Sequence, residues 1–123
     1  MTEKLREKLI EFNETNSDDI FSSNKYRKFE KYINECISGE GMIGENSYLI
    51  LWEKSDIEEL NDDYGVNEFL TNSILIGSDG GDIAYGINEE GKFFSVPFIG
   101  MDDDEVELMG NNFEEFIEKL FDL

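Results

Sequence analysis

Apolar residues recur at two different spacings along this chain, and the change from one to the other divides it. Near the start, Leu5, Leu9 and Phe12 share one face of a helix for which Thr2 is a candidate N-cap. The polar stretch "NETNSDD" interrupts it. Tyr26, Phe29, Ile33, Cys36 and Ile37 then form the apolar stripe of a second helix, expected from about Asn24 to Ser38. "NSYLILWE" follows as a β-branched and aromatic run of strand length. Ser55 and Glu58 are spaced as a capping box for a short helix that passes Leu60 and stops near Gly65.

From Ser73 the period shortens to that of a sheet. "SILIG", "DIAYGIN" and "KFFSVPF" read as three strands separated by the turn sequences "SDGG" and "NEEG". Connections this short cannot make parallel crossovers, so the strands form an antiparallel meander. Pro97, the only proline, belongs at an edge or a strand end. The acidic connection "GMDDDEVELMGN" has room for one more short strand. In the closing segment Asn112 caps a helix with Glu115 three residues on, and Phe113, Phe116, Ile117, Leu120 and Phe121 line one face. The expected class is α+β: a small antiparallel-rich sheet packed by N-terminal helices and a C-terminal amphipathic helix, one domain over residues 1–123.

Charge changes the picture most. Thirty acidic against ten basic side chains give a formal charge of −20. Residues 1–31 are balanced, with seven of each sign, so the whole excess lies in residues 32–123, where only Lys54, Lys92 and Lys119 are basic. Such a chain repels nucleic acid and anionic membrane, which bind through cationic patches. It suits either general solubility or a surface that meets a basic protein, where steering raises association rates by about 10–10³. No apolar run is long enough to span a bilayer. The charges within "MTEKLREKLIEF" break the continuous apolar core of a signal peptide. One cysteine, Cys36, rules out an internal disulfide. The reading is of a soluble protein of the reducing cytoplasm.

Candidate chemistry is thin. With no histidine there is no Ser-His or Cys-His nucleophile pair, and one Cys leaves nothing for a structural zinc site. Cys36 reads as a buried, inert core thiol. Neither catalytic residue nor cofactor is expected, and the chain is read as a non-enzyme. "GEGMIG" at 39–44 matches the dinucleotide fingerprint, but that motif needs a strand before it and a helix after it. Here the expected order is the reverse, so Gly39 is assigned to closing the second helix, with Gly41 and Gly44 turning the chain into a strand. Asp79 and Asp82 in "SDGGD", and Asp102, Asp103, Asp104, Glu105 and Glu107 in "DDDEVE", resemble calcium loops without the required ligand spacing. Turn chemistry and a solvated loop account for them, or they meet the lysines and arginines of a partner. Those seven acids are the candidate partner-binding residues, with Glu40 and Glu45 behind them.

With Trp52 followed by a helix and Asn61, the "IGSDGGDIAYGI" hairpin and the closing "NFEEFIEKL" helix in that order, the chain over about residues 24–123 resembles the SUKH superfamily, named partly for the fungal Smi/Knr cell-wall regulator. The resemblance implies an α+β fold. It also implies the role typical of bacterial members, an immunity protein that binds and neutralises a cognate polymorphic or contact-dependent toxin domain, often a nuclease, without catalysis. It nominates Trp52, Gly77, Gly80 and Gly81 as core and turn formers. The resemblance to the fungal relatives also implies a second role, a regulatory scaffold, and the acidic composition fits a third, a mimic of DNA.

Overall fold

The structure, a computed structural model, describes residues 24–122. The helix expected from Thr2 therefore lies outside the described residues. Two short helices, α1 (Asn24–Arg27) and α2 (Glu30–Ile33), lead into β1 (Gly39–Ile43) and β2 (Ser47–Leu51). The helices α3 (Lys54–Tyr64) and α4 (Val66–Phe69) follow. Three strands come next, β3 (Ser73–Ser78), β4 (Ile83–Asn88) and β5 (Phe93–Pro97). A 3₁₀ turn at Asp103–Glu105, β6 (Glu107–Gly110) and α5 (Phe113–Phe121) complete the order. All six strands form one sheet in chain order β1-β2-β3-β4-β5-β6, every pair antiparallel. The α+β class and the meander expected from the sequence are what the chain adopts.

The strand period of two sorts side chains onto both faces of the sheet. Ile74, Ile76, Tyr85, Ile87 and Phe93 point to one side, where they pack with Tyr26, Phe29 and Ile33 and with Phe113, Phe116, Ile117 and Leu120 of α5. Leu75, Ala84, Phe94 and Val96 point to the other, against Val66, Leu70 and Met101. Every residue of β3 is buried, which is why "SILIG" is continuously apolar instead of alternating. Pro97 ends β5, as expected of a residue without an N–H to donate.

Three local expectations are corrected. The second helix does not run unbroken to Ser38. Bonds from i+3 to i, such as Phe29 N to Tyr26 O (3.0 Å) and Cys36 N to Ile33 O (2.9 Å), wind the segment more tightly and divide it into α1 and α2. Its stripe is nevertheless right: Tyr26, Phe29, Ile33 and Cys36 are buried, and Ile37 is half-buried against the same core. Next, "GEGMI" is no connector but β1 itself, registered from Gly39 opposite Leu51 to Ile43 opposite Ser47. The turn lies one residue later, at Gly44, whose φ of +78° suits glycine alone. Finally, Ser55 and Glu58 form no capping box. The helix begins at Lys54, with Glu53 in extended backbone at the N-cap and no side-chain cap bond. Its end at Gly65, left-handed at φ 63°, is as expected.

One buried side chain joins helix to sheet. β2 meets β3 only at Ile50–Ser78 and Leu51–Gly77, extended by a bond from Trp52 N to Ile76 O (2.9 Å). At Leu75 no strand flanks β3 on that side. There Asn61, fully buried on α3, donates from Nδ2 to the Leu75 carbonyl (2.8 Å) and accepts from the Leu75 N–H at Oδ1 (2.7 Å). Its second amide hydrogen goes to the Ile57 carbonyl (2.8 Å). The amide thus stands in for a residue of β2. The strands close up tightly beside it: a Cβ at Gly77 would sit 2.1 Å from the Ile50 carbonyl oxygen.

Asn61→Leu leaves the Leu75 N–H and C=O buried without partners, which lowers stability by about 2–4 kcal/mol. Chemical denaturation measures it, and a loss under about 0.5 kcal/mol would contradict the role given to Asn61.

Candidate interaction surface

The β3–β4 turn is built by its own acids and glycines. Asp79 Oδ1 accepts from Gly81 N (2.8 Å) and Ile83 N (3.2 Å), Ser78 Oγ accepts from Gly80 N (3.1 Å), and Gly80 supplies a φ of +84°. Asp82 stands exposed beside it, its backbone carbonyl receiving Phe98 N (2.9 Å). In the acidic loop, Asp102 Oδ1 accepts from Asp104 N (2.8 Å) and caps the 3₁₀ turn. Asp103 reaches back to Thr71, accepting from its N–H (2.9 Å) and its hydroxyl (2.7 Å). These two bonds hold the exposed Asp103 carboxyl below the usual carboxylate range.

Each acidic turn therefore divides its carboxylates between two tasks. Asp79, Asp102 and Asp103 fasten the backbone. Asp82, Asp104, Glu105 and Glu107 are exposed, with no hydrogen bond or ion pair to their carboxylates among the described residues. The two turns attach at opposite ends of β3, one through Asp79 just after it and the other through Thr71 just before it. They do not converge into one acidic patch, and among the described residues no three Asp, Glu or Cys side chains gather as a metal site.

The register does bring Asp79 and Glu107 together. Tyr85 lies opposite Ser95, and Ser95 opposite Glu107. The same face carries Ile83 and Met109, and alongside α5 it forms an open groove of about 490 Å³ bounded by Asp79, Glu107 and Lys119. The floor is aromatic. Tyr85 is almost fully buried and meets Phe116 edge-on at 5.2 Å. Burial, with the Asp79 charge adding to it, pushes the Tyr85 hydroxyl up to about 12, so it stays protonated. Tyr85, Ser95, Met109 and Lys119 carry no motif. They belong to the groove through strand pairing, which single-strand periodicity does not reveal.

The remaining candidates sit at the first hairpin. Glu40 of β1 accepts a short hydrogen bond from the Tyr48 hydroxyl, which raises the Tyr48 pKa, and Glu45 is exposed in the turn. Cys36 is buried, with its thiol donating to the Tyr32 carbonyl (3.6 Å), and burial pushes its pKa far above the usual range. Among the described residues no helix is long and apolar enough to cross a membrane.

Removing the Asp103 anchor has a defined signature. The stabilisation that Thr71 gives the ionised carboxyl is fully present above the ordinary aspartate pKa and fades as pH falls through the lowered one. Thr71→Val removes the hydroxyl bond, so the Asp103 pKa rises toward its ordinary value in an NMR titration of the side-chain carboxyl. An unmoved pKa would contradict the assignment.

No protein-family model matches the chain, and no curated protein matches it either.

Proposed function

We propose that this chain is an immunity-type protein that binds and neutralises a basic protein, a toxin domain of the nuclease kind, by occupying its cationic surface without catalysis. The reading rests on one observation above the others. In each acidic turn some carboxylates lock the backbone by hydrogen bonds, while their neighbours Asp82, Asp104 and Glu105 are held out to solvent. Charges displayed on a fixed backbone lose little conformational entropy when a partner's lysines and arginines arrive. The formal −20 supplies the long-range attraction, because a nuclease must hold a cationic cleft for phosphates. The groove beside α5 offers apolar and aromatic contact for residence time. The resemblance of Trp52, Asn61 and the glycine hairpin to the SUKH pattern supports the same reading.

The test is purification with the basic toxin domain encoded by the adjacent gene, at about 0.1–0.15 M salt where screening still permits steering. A stable complex is expected. Reversing Asp82, Asp104 and Glu105 to Lys leaves the turn-forming bonds of Asp79, Asp102 and Asp103 in place. It slows association by about tenfold or more with little change in unfolding midpoint. An unchanged association rate would remove these turns from the interface. Absence of any complex with the wild-type chain would overturn the reading.

A further inference from the structure

Among the described residues, no helix lies over one face of the β1–β2 hairpin. Ile43, Leu49 and Leu51 point into the core, so Glu40, Met42, Tyr48 and Ile50 point the other way, with Met42 and Tyr48 exposed at 42% and 38%. Trp52 continues the same alternation just beyond β2 and is half-buried. Its indole is braced by Tyr64, stacked at 6.0 Å, which in turn leans on Phe98 at 5.1 Å. Where α3 starts, this face deepens into a groove of about 290 Å³. Ile50, Trp52 and Leu60 give it apolar walls, and Glu40, Glu53 and Asp56 its rim.

The groove discriminates by charge. None of its lining residues is basic, and Lys54, next in sequence to Glu53, is buried on the opposite side among Cys36, Ile57 and Ile76. Anions are repelled even though a helix N-terminus lies nearby, because the Glu53 and Asp56 carboxylates already occupy that end. Its volume is at the bottom of the range for small-molecule sites, about 300–1,000 Å³, and matches one long side chain better. Three carboxylates around an indole are what a guanidinium requires: flat, permanently charged, weakly hydrated, able to lie on an aromatic ring while its N–H groups pair with carboxylates. An ammonium is more strongly hydrated and stacks less well.

We propose that this groove is the socket for an arginine side chain presented by the basic protein partner. The stem lies along Ile50 and Leu60, and the guanidinium sits against Trp52 and pairs with Glu53 and Asp56. Glu40, already bonded to Tyr48, closes the edge. The proposal rests on the reading that the partner is a basic protein, but it concerns a surface distinct from the two acidic turns.

Trp52 is the only tryptophan, so its emission reports on the groove directly. The probes are acetylated (Arg-Gly)₄ and (Lys-Gly)₄ peptides, titrated into the full chain at about 0.1 M salt. The arginine peptide is expected to change Trp52 emission saturably and to bind about fivefold or more tighter than the lysine peptide. The double variant Glu53→Gln, Asp56→Asn weakens it by about tenfold. The equal change of charge Glu89→Gln, Glu90→Gln, at exposed acids of the β4–β5 turn, weakens it less than about twofold. Near-UV circular dichroism confirms that both variants keep the fold. Equal affinity for the two peptides, equal loss in the two variants, or unchanged emission would each overturn the proposal. None of these outcomes affects the co-purification result, and failure of that complex leaves the peptide result standing.

Discussion

The fold depends on the amide of one buried residue. A sheet whose second and third strands pair over only two registered positions leaves the backbone of Leu75 without a strand neighbour on its β2 side, and Asn61 supplies one. Because the side chain is fully enclosed, water cannot substitute for it, so each of its bonds must be made within the protein. The consequence reaches beyond Leu75. Asn61 fixes α3 against β3, and α3 in turn fixes Tyr64 under Trp52 and Asp62 on the hydroxyl of Tyr26 (2.8 Å). The short helices and α3 are therefore tied to β3 through one amide, beside the few backbone bonds that join β2 to it. A purely apolar residue of similar size would fill the space but leave the strand edge unsatisfied.

Around that core the chain carries far more negative charge than it neutralises, and it makes structural use of a portion of it. Carboxylates of Asp79, Asp102, Asp103 and Glu115 accept bonds from nearby backbone or side-chain groups and set turns or caps. Such bonds suit the ionised form, and at Asp103 they hold the carboxyl below the usual carboxylate range. Salt bridges contribute little by comparison. Lys28 to Glu89 at 3.9 Å and Lys92 to Glu90 at 3.8 Å join exposed groups, and pairs of that kind contribute about 0–1 kcal/mol. The unpaired carboxylates exposed on the surface, Asp82, Asp104, Glu105 and Glu107 among them, raise the free energy of the fold by self-repulsion, which a cationic partner would relieve.

How much of this was legible in sequence varies by element, for physical reasons. The strands of residues 73–98 and the helix capped by Asn112 stood out because period, turn chemistry and capping agreed. β1 did not, because the glycines at 39 and 41 show no apolar alternation and leave Ile43 as its one core residue. Spacings of three and four between Tyr26, Phe29 and Ile33 fit a continuous α-helix as well as a broken, tighter winding, and only tertiary packing chose. The four residues of α4 were too few to declare a period. Among the candidate acids, sequence grouped Asp102 to Glu107 as one loop, yet Glu107 belongs to a strand and shares its groove with Asp79. That sharing follows from the register across four strands, and the Trp52 groove follows from β1 being a strand. Neither is written in any local pattern.

The central claim is that fixed, uncompensated carboxylates capture a basic protein by long-range attraction. The most direct measurement is the association rate with the basic toxin domain proposed as the partner, followed from about 0.02 to 0.5 M salt. The account predicts that the association rate falls by about tenfold or more over that range while the dissociation rate changes little. An association rate that does not respond to salt would contradict it.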